Sequence, residues 1–171
     1  MKKIKQCFLL LSSMFLLACG GSEGPSQTIT EAQLKSYFPY SNGDRIVFFN
    51  DLMGDVTYTV LESTLRDSSH IMNVNVTMVG ANYMGEQLYY LVMNAKVTDN
   101  KIIKIDFFQG LESSPNANEL SDGESFVYDV SADGELPSII TLSKGSVIQR
   151  DKGITSFIDF DSEKWYFKKR L

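Results

Sequence analysis

Apolar and polar residues alternate along most of the chain beyond residue 44, and a period of two is typical of strands with one buried face. The clearest run is residues 72–78, MNVNVTM, in which every second side chain is apolar. The same alternation occurs at residues 56–60, 103–107 and 126–130. Further strands are predicted near residues 45–50, 87–97, 138–143, 146–150, 154–160 and 164–169.

Turn-forming pairs separate the predicted strands, such as Asn-Gly at 42–43, Asp-Gly at 133–134 and Lys-Gly at 152–153. Short turns of this kind join antiparallel neighbours. No helical period long enough for a crossover helix interrupts the series, which excludes a parallel sheet of βαβ units. We therefore expect an all-β fold, an antiparallel meander of about 8–10 strands that forms a lipocalin-like barrel or a strongly curved sheet. A two-layer β-sandwich is the alternative that the pattern leaves open.

A short helix is predicted before the first strand. Thr30 and Gln33 fit a capping box, in which Thr30 is the N-cap and Gln33 follows three residues later. Pro39 ends the helix near residue 37. The apolar side chains at the end of the helix are expected to plug one end of the sheet: Leu34, Tyr37 and Phe38.

The first eighteen residues have a different pattern from the rest of the chain. Three lysines near the N-terminus precede an apolar stretch at residues 8–18, which is shorter than the ~20 residues of a membrane-spanning helix. This is the layout of a secretory signal peptide. Residues 16–19, LLAC, resemble the lipobox of bacterial lipoproteins, which implies cleavage before Cys19 and attachment of lipid to its thiol.

These features divide the chain into three parts. Residues 1–18 are predicted to be the signal peptide, residues 19–29 a lipidated flexible tether, and residues 30–171 a single β-rich domain. Gly20 rather than an aspartate follows the cysteine, which resembles outer-membrane proteins in enteric-type sorting. We expect a lipid-anchored protein of the cell envelope, located in the outer membrane and facing the periplasm.

The net charge and the few cysteines and histidines of the chain limit which partners and metal sites are expected. The formal net charge is −5, and the leader carries lysines but no acid, so the mature domain is more acidic still. An acidic surface repels phosphate backbones, which argues against nucleic acid as a partner. Cys7 lies in the leader, Cys19 is the predicted lipid acceptor, and His70 is the single histidine. We therefore predict no disulfide, metal site or cofactor.

Aromatic residues account for 12% of the chain, and several occur as adjacent pairs. Adjacent side chains of a strand point to opposite faces, so one ring of each pair is expected to point away from the main core. Exposed Tyr and Trp suit contacts with sugars or partners, because they combine a flat apolar face with a polar tip. Tyr90 and Trp165 are the candidate ligand-binding residues. Packing beneath loops and the N-terminal helix is the competing interpretation.

No catalytic residues are predicted. The sequence has neither a G-x-S-x-G elbow nor a glycine-rich phosphate motif, and no pair of carboxylates stands out by its spacing. Two stretches, residues 37–44 (YFPYSNGD) and 153–165 (GITSFIDFDSEKW), are similar to small lipoproteins of the Bacteroidetes type. The resemblance implies an envelope address and a β-rich fold, and it supplies no catalytic residue.

We expect a non-enzymatic binding module that holds a small apolar ligand or a glycan in the mouth of the barrel. The alternative is a structural or accessory subunit that docks on another protein of an envelope complex. A hydrolase has less support. The expected partners are thus the membrane, through the N-terminal lipid, and a small ligand, glycan or envelope protein.

Overall fold

The part of the chain that the structure describes forms ten strands and two short helices. The computed structural model describes residues 28–68, 70–81, 88–111, 123–159 and 162–171. The predicted signal peptide, Cys19 and nearly all of the predicted tether lie outside the described residues. In chain order the elements are α1 (Glu31–Tyr37), β1 (Arg45–Asn50), β2 (Gly54–Ser68), β3 (Ile71–Ala81), β4 (Leu88–Thr98), β5 (Ile102–Leu111), β6 (Glu124–Asp129), α2 (Val130–Asp133), β7 (Ile139–Thr141), β8 (Val147–Gln149), β9 (Gly153–Ile158) and β10 (Lys164–Arg170).

The ten strands form one antiparallel sheet in which strands that are consecutive in the chain pair with each other, except at one place. β10 returns to pair with β1, where Tyr166 lies opposite Phe49, so the sheet curls round on itself. The exception is β6 and β7, which are the two edges of the sheet and are connected through α2. The fold is therefore a meander that closes nearly into a barrel. It confirms the predicted all-β meander, and the single sheet excludes the two-layer sandwich.

Aromatic and aliphatic side chains fill the interior of the barrel. The four alternating apolar side chains of β3 are each at most 3% exposed, as their period of two predicts. The ring of Phe157 lies at the centre of an aromatic cluster, 5.0 Å from the centroid of Phe48 and 6.2 Å from that of Tyr58. Both contacts are edge-to-face, a geometry that adds about 0.5–1.5 kcal/mol per pair beyond the burial of area.

Helix α1 begins as its sequence predicts. The side chain of Thr30 accepts the backbone N–H of Gln33 at 3.2 Å, and the side chain of Gln33 accepts the N–H of Thr30 at 2.9 Å. The predicted capping box is therefore present. The three apolar residues that were expected to plug the sheet, Leu34, Tyr37 and Phe38, are all buried.

We call the end of the barrel that α1 closes the helix end. The turns at residues 99–101 and 150–152 and helix α2 lie at this end. The backbone N–H of Asp151 donates to the carbonyl of Ser36 at 2.6 Å, which fastens α1 to the turn between β8 and β9. The opposite end, which we call the far end, carries the turns at residues 51–53 and 142–146.

The folded domain begins before the predicted boundary at residue 30. Ile29, which the sequence assigned to the flexible tether, is 2% exposed and belongs to the core. Its N–H donates to the carbonyl of Asn100 at 2.6 Å, in the turn between β4 and β5. An apolar side chain that is buried and hydrogen-bonded is part of the domain, so the chain enters the barrel at the helix end.

Helix α2 was not predicted. The strand that was expected at residues 126–130 ends at Asp129, because the carboxylate of Asp129 accepts the N–H of Ser131 at 2.8 Å and acts as the N-cap of α2. Hydrogen bonds from the Ser131 hydroxyl and N–H hold the pKa of Asp129 below its usual value. A side chain that captures a nearby backbone N–H competes with continuation of the strand.

Candidate functional site

Trp165, one of the two predicted ligand-binding residues, is buried. Its side chain is 4% exposed, so the prediction of an exposed ring is wrong for this residue. Trp165 stacks on Phe157 with 6.1 Å between the ring centroids, and its Nε1–H donates to the carboxylate of Asp159 at 2.8 Å. Trp165 is buried because side chains alternate between the two faces of β10. Trp165 and Phe167 face the core, whereas Tyr166 between them is 48% exposed.

Tyr90 lies on the outer face of β4 and is half-buried. Its neighbours in the strand, Tyr89 and Leu91, pack into the core, so alternation turns the ring of Tyr90 outward. Tyr90 is paired with Val79 of β3 across the sheet. Tyr90 and Trp165 therefore lie on opposite faces of the barrel wall, and the structure does not bring them into one site.

The aromatic cluster occupies the space in which a ligand inside the barrel would bind. Phe48, Tyr58, Phe107 and Phe157 are each at most 3% exposed. Burial raises the pKa of Tyr58 above its usual value, with a smaller contribution from Tyr89, so the phenol is held neutral inside the barrel. These side chains form a packed core.

A small cleft lies at the helix end between α1 and α2. Its volume is about 200 Å³, whereas pockets for small-molecule ligands usually measure about 300–1,000 Å³. The cleft is therefore too small to enclose a typical small ligand. Its lining mixes apolar and polar side chains: Thr28, Ile29, Gln33, Val130, Glu135 and Leu136.

The break between β6 and β7, which we call the seam, is the place where the barrel wall is incomplete. Toward the far end, the N–H of Ser143 donates to the carbonyl of Ser125, and the N–H of Ser125 donates to Oγ of Ser143, both at 3.1 Å. No backbone hydrogen bond joins β6 directly to β7 within the ranges that the structure covers. The two edges are thus linked beside Ser125 through Ser143, which follows β7.

A buried carboxylate fastens the seam at the far end. Glu124 of β6 is 3% exposed, and its carboxylate accepts the backbone N–H groups of Lys144 and Ser146, each at 3.0 Å. It also accepts the hydroxyl of Ser146. All these donors lie in the turn between β7 and β8, so one buried side chain links the two edges through three hydrogen bonds.

Two large apolar side chains flank the seam on the outer face of the barrel. Val127 of β6 is 62% exposed and Ile139 of β7 is 54% exposed. Neither residue was predicted from the sequence. A usable signal was present, because Val127 lies between the inward-facing Phe126 and Tyr128, and Ile139 precedes the buried Ile140. An apolar residue in the outward phase of a strand marks exposed apolar surface.

The described residues contain no group of three or more His, Cys, Asp or Glu side chains placed to hold a metal ion. His70, the single histidine, is exposed between β2 and β3. Neither described helix has the length and apolar character needed to cross a membrane. Comparisons of the chain with protein-family models, with curated proteins and with solved structures found no match.

Proposed function

We propose that this chain is a lipoprotein of the cell envelope, anchored to the outer membrane through lipid on Cys19 and facing the periplasm. Its barrel serves as a non-enzymatic interaction module that docks on another envelope protein. The cationic head, the short apolar stretch and the LLAC motif at residues 16–19 support the anchor. A lipoprotein cysteine carries more than one acyl chain, and each buried methylene contributes about 0.8 kcal/mol to membrane binding.

The observation that carries the interaction role is the packing of aromatic rings in the described part of the barrel interior. Rings such as Phe48 and Phe157, 5.0 Å apart, occupy the space that a small apolar ligand needs. Of the two rings predicted to contact a glycan, Trp165 is 4% exposed and Tyr90 lies on the opposite face of the barrel wall, so they form no common site. Both kinds of small ligand therefore have less support than a partner that contacts the outer surface.

The seam is the part of that outer surface best suited to a protein partner. Val127 and Ile139 supply exposed apolar side chains on its two sides, and protein interfaces combine an apolar centre with a polar rim. Among the described residues, β6 and β7 are the edge strands of the sheet, and their backbone groups beyond Ser125 can pair with another chain. The acidic net charge of −5 does not favour a nucleic acid at this or any other surface.

The anchor is tested by the Cys19→Ser variant in cells fed a clickable palmitate analogue. The wild-type chain is expected to incorporate the label, run as a smaller mature form and sediment with outer membranes. The Cys19→Ser variant is expected to lose the label and leave the membrane fraction. Label retained on the variant, or an unlabelled wild-type chain in the soluble fraction, contradicts the proposed anchor.

The interaction role is tested by site-specific photo-crosslinking in living cells. A photoreactive amino acid is placed at Val127, at Ile139 or, as a control, at Leu61, which is 52% exposed elsewhere on the barrel. The two seam positions are expected to give one adduct of the same mass, which mass spectrometry identifies as an envelope protein, and Leu61 is expected to give none. Equal adducts at all three positions, or none at the seam, would refute docking at this site.

A further inference from the structure

We infer that the outer face of β1 and β10 is a second membrane-contact surface, which binds anionic phospholipid headgroups. The inference rests on the proposed lipid anchor, because the tether is what keeps the barrel beside a bilayer. We call this face the basic wall. Its cations are Arg45, Lys164, Lys168 and Lys169, together with Arg170 at the helix end, where the guanidinium lies 5.3 Å from the ring centroid of Tyr40.

The basic wall concentrates positive charge on a protein whose net charge is −5. All four β10 cations are exposed along the strand. The carboxylates that pair with them are Asp55, 2.8 Å from the ammonium of Lys168, and Asp44, 3.8 Å from the guanidinium of Arg170. The cations of the wall therefore outnumber the carboxylates that neutralise them. Their excess charge attracts a negatively charged surface.

Two acidic residues lie beside the basic wall at the far end. Asp51 lies in the turn after β1, and Glu163 immediately precedes β10. The wall and its margins thus carry five cations and four carboxylates, and the positive charge is least opposed toward the helix end, where Arg45, Lys169 and Arg170 lie with Asp44. The guanidinium of Arg170 donates to the carbonyl of Pro39 at 2.7 Å, which places this part of the wall beside the segment that joins α1 to β1.

Aromatic side chains lie between the cations. Tyr166 is 48% exposed and is paired across the sheet with Phe49 of β1. The ammonium of Lys164 lies 5.5 Å from the ring centroid of Tyr166, and that of Lys168 lies 5.5 Å from the ring centroid of Phe49. Lys and Tyr side chains have apolar bodies and polar ends, and this combination suits the boundary between acyl chains and headgroups.

The wall carries exposed apolar side chains at both of its ends. At the far end Leu52 is 78% exposed and Met53 is 51% exposed, and at the helix end Leu171 is 57% exposed. The far-end pair is held in place by Asn50, whose side-chain oxygen accepts the N–H of Leu52 at 2.8 Å and that of Met53 at 3.1 Å. The amide of Asn50 also donates to the carbonyl of Lys164 at 3.2 Å, which joins the turn to β10.

The proposed anchor allows the barrel to rest on this wall. A tether from residue 19 to residue 28 can extend to roughly 30 Å, and a strand of the length of β10 spans about 24 Å. The chain enters the domain at the helix end through Ile29, so the barrel can lie along the membrane with its far end touching the surface. Tethering raises the effective concentration of headgroups at the wall, which favours lipid over a freely diffusing anionic partner.

The test uses the exported, lipidated protein reconstituted in vesicles of phosphatidylethanolamine with or without phosphatidylglycerol. A Met53→Trp variant places an indole at the far end of the wall, and vesicles with brominated acyl chains quench an indole that reaches the acyl boundary. Quenching is expected in vesicles that contain phosphatidylglycerol, and it should fall about threefold or more when Lys164→Glu and Lys169→Glu are combined. Higher salt is expected to lower it as well.

Two matched controls separate this inference from general membrane proximity. An Ile102→Trp variant carries its indole on β5, four strands from β1 in the sheet, at a side chain that is 41% exposed in the native chain, and should not be quenched. A combined Lys96→Glu and Lys104→Glu variant makes the same change of net charge at a cross-strand pair of β4 and β5 and should leave quenching unchanged. Quenching without dependence on phosphatidylglycerol or on the wall cations overturns the inference, as does absence of quenching in protein that floats with the vesicles. Exported protein that fails to float contradicts the anchor itself, and with it the inference.

Discussion

The phenolic oxygen of Tyr40 accepts the backbone N–H of Ile154 at 2.6 Å, and this bond joins the segment after α1 to strand β9. Tyr40 is 7% exposed and Ile154 is 1% exposed, so the bond is made away from water. The carbonyl of Tyr40 also accepts the hydroxyl of Ser63 on β2, at 2.8 Å. Tyr40 thus connects two distant parts of the barrel wall at the helix end.

Removing the hydroxyl of Tyr40 is expected to leave a buried donor without an acceptor. The Tyr40→Phe variant should lower the free energy of unfolding by about 1–3 kcal/mol, because the N–H of Ile154 loses its partner in a dry environment. Urea denaturation measures the change. Tyr166→Phe, at a ring that is 48% exposed, is the matched control and should stay within about 0.5 kcal/mol of wild type. Equal stability of the two variants would refute the role assigned to this bond.

The glycine beside Ile154 makes room for the Tyr40 hydroxyl. A Cβ atom on Gly153 would lie 2.0 Å from that oxygen, and Gly153 has φ +80°. Gly43 has a similar φ of +88° but faces open space. Both Gly→Ala variants should cost about 1–2 kcal/mol for the left-handed backbone, and Gly153→Ala should cost more because it also displaces Tyr40. Thermal unfolding compares them, and equal losses would contradict the steric argument.

Stability is expected to fall at alkaline pH. Burial raises the pKa of Tyr40 and of Tyr58 above the usual value for tyrosine, whereas an unfolded chain has a phenol pKa of about 10. The folded state then holds these protons more tightly than the unfolded state does. The resulting stability is complete below about pH 10 and is lost progressively as the pH rises above that value.

The pH dependence can be measured by urea denaturation between about pH 8 and about pH 11.5. The free energy of unfolding should be level at the lower end and decline above about pH 10. The Tyr58→Phe variant removes one of the two shifted groups and should decline less steeply. A wild-type chain whose stability is unchanged up to about pH 11.5 would show that neither phenol is held neutral in the folded state.

Replacing the buried carboxylate at the seam is expected to loosen the junction between β6 and the turn after β7. The amide of a Glu124→Gln variant has one acceptor oxygen and points its NH₂ group toward groups that also donate. The loss should be about 2–3 kcal/mol, since hydrogen bonds to charged groups are the stronger ones. Amide hydrogen exchange at Ser143 and Ser146 should become faster. Glu135→Gln, at a side chain that is 72% exposed, is the control and should leave that exchange unchanged.

Local patterns explain which parts of the fold were predictable. The alternation at residues 72–78 and the capping box at Thr30 depend on neighbours within a few residues, and both are present in the structure. The bond between Glu124 and Ser146 joins residues 22 positions apart across the seam. No local pattern contains such information, because the partners meet only when the whole meander has closed.

The candidate site was harder to predict because the phase of β10 is ambiguous in the sequence. Trp165, Tyr166 and Phe167 are all aromatic, so alternation alone does not say which rings face the core. The phase is set by pairing with β9, where Trp165 lies opposite Phe157, and with β1, where Tyr166 lies opposite Phe49. The burial of Trp165 therefore depends on long-range strand pairing. The composition and spacing of the sequence do not reveal it.

The burial of Trp165 leads to opposite expectations for a core residue and for a ligand-binding residue. Trp165 is the single tryptophan, so its fluorescence reports on this site alone. In the folded protein its emission should be blue-shifted and weakly quenched by acrylamide, since the ring is stacked on Phe157 and 4% exposed.

Trp165→Ala should lower the free energy of unfolding by about 3–5 kcal/mol because it leaves a cavity in the core. Tyr90→Ala, at a half-buried ring on the outer face, should lose about 1 kcal/mol. A stable Trp165→Ala variant, or a native emission that matches free indole in water, would mean that the ring is exposed, and the argument against a binding role for Trp165 would fail.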